Sequence, residues 1–139
     1  TSGSSAIVAI NNKKEVYLVK QWRYALDRSS IELPWGGRKK NETNLQCAKR
    51  ELREETGLIA KKWSLLSRSS ICPGILNEQA YIYLATDVSQ KGRIYIPEEG
   101  DQEVITIPFQ QAYQWAISKR LLDAVTISGI FLAREKLGL

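Results

Sequence analysis

The chain has no histidine and no methionine, and only two of its 139 residues are cysteines. The absence of histidine removes the commonest general base and any histidine-based metal site, so acid–base chemistry and metal binding would fall to carboxylates. Cys47 and Cys72 lack the close spacing of a metal-binding pair. They indicate reduced thiols, and we therefore expect a cytoplasmic protein.

Long hydrophobic runs are also missing. No stretch approaches the roughly 20 apolar residues that span a bilayer, and no signal-peptide pattern is visible. A hydrophobic content of 43% and a charged content of 25% are those of an ordinary globular domain. We expect one domain over residues 1–139 and no membrane partner. Thr1 to Ser5 are expected to be disordered, or to derive from processing or cloning.

The net charge of +5 comes from lysines and arginines that are spread along the chain. A basic surface for nucleic acid is one interpretation of this excess. Solubility together with attraction for a small anionic substrate is the interpretation that we favour, since charge balance alone is weak evidence for a nucleic-acid partner.

The spacing of apolar residues predicts strands interleaved with helices, and hence an α/β or α+β fold with a mixed sheet between helices. The first two strands are expected to pair as a hairpin. The predicted strands are 6–10, 15–21, 31–34, 62–71, 79–86 and 103–108, and the predicted helices lie between 43 and 57, at 110–120 and at 123–137.

The first of these helices is marked at both ends. Thr43 can cap its first turn, and Gln46 three residues later completes a capping box. Gly57 is the expected left-handed stop. Before this helix, the segment from Pro34 to Gly37 predicts a sharp bend whose glycines let the backbone approach a metal or a phosphate.

Three glutamates, Glu51, Glu54 and Glu55, stand at positions i, i+3 and i+4 and therefore share one face of this helix. Their mutual repulsion should destabilise an isolated helix. A solvated acidic face is the ordinary interpretation of such a run. The functional interpretation is a site for Mg²⁺, which takes oxygen ligands and is usually held by one or two carboxylates plus substrate phosphates.

The loop before the helix favours the functional interpretation. Residues 36–58 resemble the Nudix box, G-x5-E-x7-R-E-U-x-E-E-x-G-U, where U is aliphatic. The resemblance implies an α/β/α sandwich with the box as loop–helix–loop, hydrolysis of nucleoside diphosphates linked to another group, and Mg²⁺ as cofactor with Mn²⁺ as a possible substitute. The fixed positions are matched by Gly36, Glu42, Arg50, Glu51, Leu52, Glu54, Glu55, Gly57 and Leu58.

Outside the box, the chain is similar to the ADP-ribose and ADP-sugar pyrophosphatase branch. Gln21–Arg23 matches its Q-aromatic-R segment, and Glu32–Gly36 matches its E-hydrophobic-P-A-G segment except that Trp35 replaces a small residue. Pro73, about sixteen residues past the box, matches a proline of the branch. The resemblance therefore implies ADP-ribose or another ADP-sugar as the small-molecule substrate.

The resemblance also implies roles for individual residues. Glu51 and Glu55 would be the main metal ligands, with the backbone carbonyl of Trp35 as a further one. Arg50 would orient a box glutamate, and Glu54 would support catalysis. The residues implied to contact substrate are Arg23, Glu32, Gly37 and Pro73, although Arg23 taken by itself favours a surface role.

The general base would come from a loop late in the chain. Glu98 and Glu99 lie in the matching loop, and Glu103 is the fallback. Solvated loop charges are the alternative interpretation of all three. The family is often dimeric, so we expect a homodimer.

Two other functions compete with ADP-sugar hydrolysis. A pyrophosphohydrolase for nucleoside triphosphates or dinucleoside polyphosphates is compatible with the basic loop Arg38–Asn41 and with the few residues before Ala6. A catalytically silent module that binds a nucleotide or RNA comes from another class. Such modules usually have damaged boxes, whereas every metal-binding glutamate is present here.

Overall fold

The computed structural model describes residues 3–92 and 102–139. These ranges contain strands β1 to β7, one short 3-10 helix (Tyr24–Leu26), and helices α1 to α3. The bounds are β1 Gly3–Ala9, β2 Glu15–Arg23, β3 Arg28–Glu32, β4 Trp35–Gly37, α1 Asn44–Thr56, β5 Leu58–Ser70, β6 Gln79–Gln90, β7 Glu103–Pro108, α2 Phe109–Ile117 and α3 Ala124–Leu137.

A four-stranded mixed sheet lies at the centre, in the order β4-β1-β6-β5. Strands β1 and β6 are parallel, and the other pairs are antiparallel. All seven residues of β1 are buried, as expected of a strand covered on both faces. A second, three-stranded antiparallel sheet has the order β3-β2-β7.

The predicted hairpin between the first two strands is wrong. Strands β1 and β2 belong to different sheets, and the connection between them contains a single antiparallel bridge from Ile10 to Val16. The apolar residues 6–9 of β1 pair instead with β6, more than 70 residues later in the chain. Short-range spacing carries no information about so distant a partner.

Strand β1 begins earlier than predicted. Gly3–Ser5 pair with Gln79–Tyr81 of β6, so the disorder expected for Thr1 to Ser5 is not observed for these three residues. An origin of the segment in processing or cloning stays a prediction. Ser4 and Ser5 can be buried because each hydroxyl donates a hydrogen bond. The Ser5 hydroxyl donates to the carbonyl oxygen of Asn44 at 2.9 Å, and the Ser4 hydroxyl donates to Glu78 at 3.0 Å.

Helices cover opposite faces of the central sheet. Alternate residues of β1 point to opposite sides. Ile7 and Ala9 pack with Ala48 and Leu52 of α1, whereas the other face packs against α2 and α3. The predicted α/β/α arrangement is therefore observed. None of the helices within the described ranges is both long and apolar enough to cross a membrane.

The predicted helix ends are confirmed. The Thr43 hydroxyl accepts from the backbone N–H of Gln46 at 3.0 Å, and the Gln46 side chain accepts from the Thr43 N–H at 2.8 Å. Gly57 ends α1 with φ of 78°. The bend before the box is confined to Pro34. Residues 35–37 continue as the short strand β4, which pairs with β1.

Candidate active site

Arg50 lies at the centre of an ion-pair network on α1. Its Nε and Nη2 atoms donate to the two carboxylate oxygens of Glu42 at 2.7 and 2.9 Å. Its Nη1 atom donates to Glu51 at 2.7 Å and to Glu54 at 3.1 Å. Nη2 also donates to the carbonyl oxygen of Gly37 at 2.9 Å. One guanidinium therefore connects the loop, strand β4 and two glutamates of the helix.

The acidic face of α1 points inward, against β4. The side chain of Glu51 is only 12% exposed, so the solvated-face interpretation is excluded for this residue. Gly36 lies directly beneath the Glu51 carboxylate, where a Cβ atom would collide with it. The glycine of the box thus permits close packing between strand and helix without displacing the Glu51 carboxylate.

Glu55 lies on the same side and accepts a hydrogen bond from the Trp35 backbone N–H at 3.1 Å. Burial, followed by the nearby charge of Glu51, raises the pKa of Glu55 to about 8. Burial also raises the pKa of Glu51, although Arg50 opposes the shift. Two poorly solvated carboxylates therefore face each other beside strand β4.

This pair fits a divalent cation. Within residues 3–92 and 102–139, no three acidic or cysteine side chains are close enough to enclose a metal by themselves. Mg²⁺ seldom needs such a cage, because one or two carboxylates, water and substrate phosphates complete its shell. A cation between Glu51 and Glu55 would also offset the charge of Glu51, which contributes after burial to the raised pKa of Glu55.

A second charged pair lies near this site, between β2 and β3. The Arg23 guanidinium donates two hydrogen bonds to the Glu32 carboxylate, from Nε to Oε2 at 2.9 Å and from Nη2 to Oε1 at 2.6 Å. Burial is the largest single influence on Glu32 and raises its pKa, but the hydrogen bonds and charge of Arg23, together with further hydrogen bonds such as that from the Trp35 indole, hold the pKa of this carboxyl below its usual value. Arg23 is therefore a partner of Glu32 and only partly a surface residue.

Two other residues predicted for the site, Pro73 and Glu103, do not lie among the charged residues around Arg50 and Glu55. Pro73 is exposed in the turn between β5 and β6. Glu103 is exposed at the start of β7, opposite Lys20. Glu98 and Glu99 lie outside the described residues, so their predicted role as general base stays a prediction.

Two contributions of the site residues were not predicted from the sequence. Glu42 was matched as a box position, yet its function as the bidentate partner of Arg50 appears only in the folded chain. The Trp35 indole donates from Nε1 to Glu32 at 3.2 Å. The unusual tryptophan before the box was the available signal, but its partner was not evident from spacing.

Residues 2–125 match the NUDIX domain. The chain belongs to the Nudix family. The prediction of a Nudix hydrolase is thereby confirmed. In the structure, the box carboxylates on α1 are all present. This family generally uses divalent metals, in agreement with the fit of the Glu51–Glu55 pair.

Curated relatives cover most of this Nudix chain. An ADP-ribose pyrophosphatase from Bacillus subtilis (strain 168) is 31% identical over 129 residues, 92% of this chain and 70% of the relative. An ADP-ribose pyrophosphatase from Mycobacterium tuberculosis is 32% identical over 130 residues, 92% of this chain and 63% of the relative. A methanol dehydrogenase activator from Bacillus methanolicus is 30% identical over 129 residues, with 92% and 70% covered.

A solved structure supports the fold. The crystal structure of an ADP compounds hydrolase superimposes with a TM-score of 0.90 at 21% identity, covering 99% of this chain and 74% of that one. The predicted Nudix-type α/β/α fold is thereby confirmed.

Proposed function

We propose that this Nudix domain hydrolyses the pyrophosphate bond of ADP-ribose or another ADP-sugar. The observation that carries the proposal is the placement of Glu51 and Glu55 beneath strand β4, with Arg50 holding Glu51 and Glu54 in position. A silent binding module would have no need of this buried, mutually repelling pair. The relatives named as ADP-ribose pyrophosphatases, at 31% and 32% identity, support the substrate class.

Glu51 and Glu55 would hold Mg²⁺, with the Trp35 carbonyl as a further ligand and Mn²⁺ as a possible substitute. A bound divalent cation supplies charge neutralisation at phosphate oxygens and lowers the pKa of water. Arg50 keeps the oxygens of Glu51 and Glu54 oriented, and Glu54 supports them. The Gly37 carbonyl is engaged by Arg50, which fixes the loop where the diphosphate would enter.

Substrate contacts are proposed for Arg23, Glu32, Gly37 and Pro73, and the general base for Glu98 or Glu99. Arg23 and Glu32 line a cavity of about 340 Å³, large enough for part of a nucleotide. Separate E98Q and E99Q variants would identify the base. Loss of the true base should lower kcat about 10²–10⁴-fold, whereas loss of a solvated loop charge should not.

We also propose a homodimer in the cytoplasm. Trp22, Tyr24 and Leu26 are exposed by 40%, 89% and 48%, and together they form an apolar surface at the end of β2 that a second copy would cover. Both cysteines lie within the described ranges and are free thiols, as expected in a reducing compartment. Sedimentation analysis of the native protein tests the dimer.

The experiment that tests the activity is a hydrolysis panel with Mg²⁺. It contains ADP-ribose, other ADP- and GDP-sugars, dinucleoside polyphosphates, NADH and nucleoside triphosphates. A preference for ADP-ribose, with release of AMP and ribose 5-phosphate, is expected. A preference for triphosphates or polyphosphates would replace the substrate class and keep the box chemistry. Tight nucleotide binding with no turnover in Mg²⁺ or Mn²⁺ would support the binding module instead.

A further inference from the structure

Trp35 is held at both its backbone and its side chain. Its backbone N–H donates to Glu55, one of the proposed metal ligands, at 3.1 Å. Its indole Nε1 donates to Glu32 Oε1 at 3.2 Å. The residue therefore lies between the carboxylates of α1 and the second charged pair, and its ring cannot turn away without breaking a hydrogen bond.

The acceptor of the indole is itself immobile. Glu32 is 3% exposed, and both of its oxygens are bound by the Arg23 guanidinium. Oε1 of Glu32 accepts from Arg23 and from Trp35 at the same time. Because Arg23 fixes Glu32 and Glu32 fixes the indole, the large ring is preorganised before any ligand arrives.

Two cavities meet at this ring. The first, which we call the arginine cavity, has a volume of about 340 Å³ and is lined by Arg23, Leu26, Ser30, Glu32 and Leu122. The second, the serine cavity, has a volume of about 290 Å³ and is lined by Ser69, Ser70, Ile82, Val125 and Ser128.

Three residues line both cavities: Trp35, Asp123 and Ala124. Asp123 and Ala124 form the start of α3, where the Asp123 carboxylate is occupied as the cap of that helix at 2.9 Å from the Thr126 N–H. The residues common to both cavities are therefore one helix end and Trp35, whose indole is the largest of the shared side chains.

We propose that Trp35 is the specificity-determining residue of this site, acting as a partition that confines the group beyond the diphosphate to one cavity. This inference rests on the proposed function. A sugar-sized group fits within one cavity, whereas a sugar that carries an additional aromatic ring would need the space that the indole fills. A small residue at position 35 would join the cavities into one.

ADP-ribose and NADH make a matched pair of probes, because NADH contains the ADP-ribose skeleton with a nicotinamide ring added to its terminal ribose. The ratio of kcat/KM for NADH to that for ADP-ribose should rise at least about tenfold in Trp35→Ala. Trp35→Phe keeps an aromatic ring but loses the bond to Glu32, so its ratio should lie between those of the native protein and Trp35→Ala.

Trp63→Phe is the control, since Trp63 packs with the core cluster on the opposite face of the central sheet. Its ratio should equal the native ratio. Thermal unfolding of each variant confirms that it is folded. If Trp35→Ala is folded and active and its ratio stays within twofold of the native value, the partition is wrong.

A measurement of ligand binding tests this inference independently of the proposed hydrolase activity. Titration calorimetry of ADP-ribose and NADH in EDTA gives the ratio of their Kd values without turnover. The partition predicts that the NADH Kd falls relative to the ADP-ribose Kd by about tenfold in Trp35→Ala, even if the native protein hydrolyses neither compound. An unchanged Kd ratio would overturn the partition, while an inactive native protein with a changed ratio would overturn only the proposed function.

Discussion

At the scale of single residues, the site depends on one guanidinium shared among three carboxylates. Arg50 satisfies Glu42 with two bonds and Glu51 and Glu54 with one each. Glu55 has no such cationic neighbour among its described hydrogen bonds and is held instead by the Trp35 backbone. The network thus leaves Glu55 as the carboxylate best placed to gain from a bound cation.

Replacing Glu55 by Gln should separate activity from stability. The amide keeps an oxygen that can accept from Trp35 N–H, so the melting temperature without metal should not fall. Turnover should fall at least about a hundredfold, because charge stabilisation by a metal amounts to several kcal/mol. Steady-state kinetics and thermal unfolding measure both. Native kinetics at saturating Mg²⁺ would refute Glu55 as a ligand.

Replacing Glu42 by Gln should lower stability in a pH-dependent way. The hydrogen bonds from Arg50, more than any other cause, lower the pKa of Glu42 to about 2. Because the folded pKa is below the unfolded value of about 4.3, Glu42 stabilises the fold above that pH and loses this contribution as the pH falls toward 2. At neutral pH, Glu42→Gln should lower the free energy of unfolding by about 2 kcal/mol.

Urea unfolding at several pH values checks this expectation. The difference between native protein and Glu42→Gln should shrink from pH 4 downward, as far as the native state persists. Glu135→Gln, an exposed position on α3, is the control. A difference that is constant across this range would show that the ion pair with Arg50 is not its source.

Single residues also show the limit of sequence reasoning. Glu51 and Glu55 were predicted as metal ligands because a local pattern carries both their spacing and their chemistry, and this role stays a prediction. Arg23 was assigned to the surface when considered alone, since nothing in the eight intervening residues shows that β2 and β3 pair and bring its side chain within hydrogen-bond distance of Glu32. Partners across strands depend on register, which the local pattern does not contain.

At the scale of elements, the site is the contact between α1 and β4. The helix presents its acidic face to a strand of only three residues, and Gly36 allows the two to approach closely. Cys47 adds a weak contact from its thiol to the Gly36 carbonyl oxygen at 3.5 Å. The short strand is anchored in turn by pairing with β1.

Gly36→Ala should therefore disturb the site more than Gly37→Ala. A Cβ at position 36 would collide with the Glu51 carboxylate, whereas one at position 37 meets nothing within 4 Å. The displaced carboxylate should weaken Mg²⁺ binding and lower kcat/KM at least about tenfold relative to Gly37→Ala, as for misplaced ligands in other metal sites. Metal titrations of both variants measure the difference, and equal effects would contradict the packing argument.

The elements also differ in how well the sequence predicted them. Helix α1 was predicted at both ends because Thr43, Gln46 and Gly57 determine its caps locally. The β1–β2 hairpin was wrong because a short turn between two apolar runs usually joins paired strands, while β1 instead pairs in parallel with β6. Contacts of long range decided that arrangement.

At the scale of the whole molecule, α3 connects the far face of the central sheet to the site. The Thr126 hydroxyl accepts from the Leu33 backbone N–H at 3.0 Å, next to Glu32. Gly129, one turn further along, lies against Leu33, Val8 and Ile82. The approach of α3 therefore sets the position of the segment that leads from β3 into β4.

Gly129→Ala should destabilise the protein although alanine is the better helix former. The new Cβ would lie 2.6 Å from Leu33 Cδ1 and 3.2 Å from Val8 Cγ2. Such overpacking costs about 1–3 kcal/mol, and over most of that range it exceeds the roughly 1 kcal/mol gained in helix propensity. Urea unfolding should show a net loss. Ser128→Ala, exposed on the same helix, gains propensity without the clash and is the control for stability.

A double variant makes the test specific to this contact. Leu33→Ala alone should cost about 2–5 kcal/mol by leaving a cavity in the core. Combined with Gly129→Ala, it removes the clashing methyl group and gives the new Cβ space to fill. The loss in the double variant should then be smaller than the sum of the single losses, by 0.5 kcal/mol or more. Additive losses, or a Gly129→Ala protein as stable as the native one, would mean that α3 can move away from Leu33 without cost, and that the helix does not hold the entrance to the box in place.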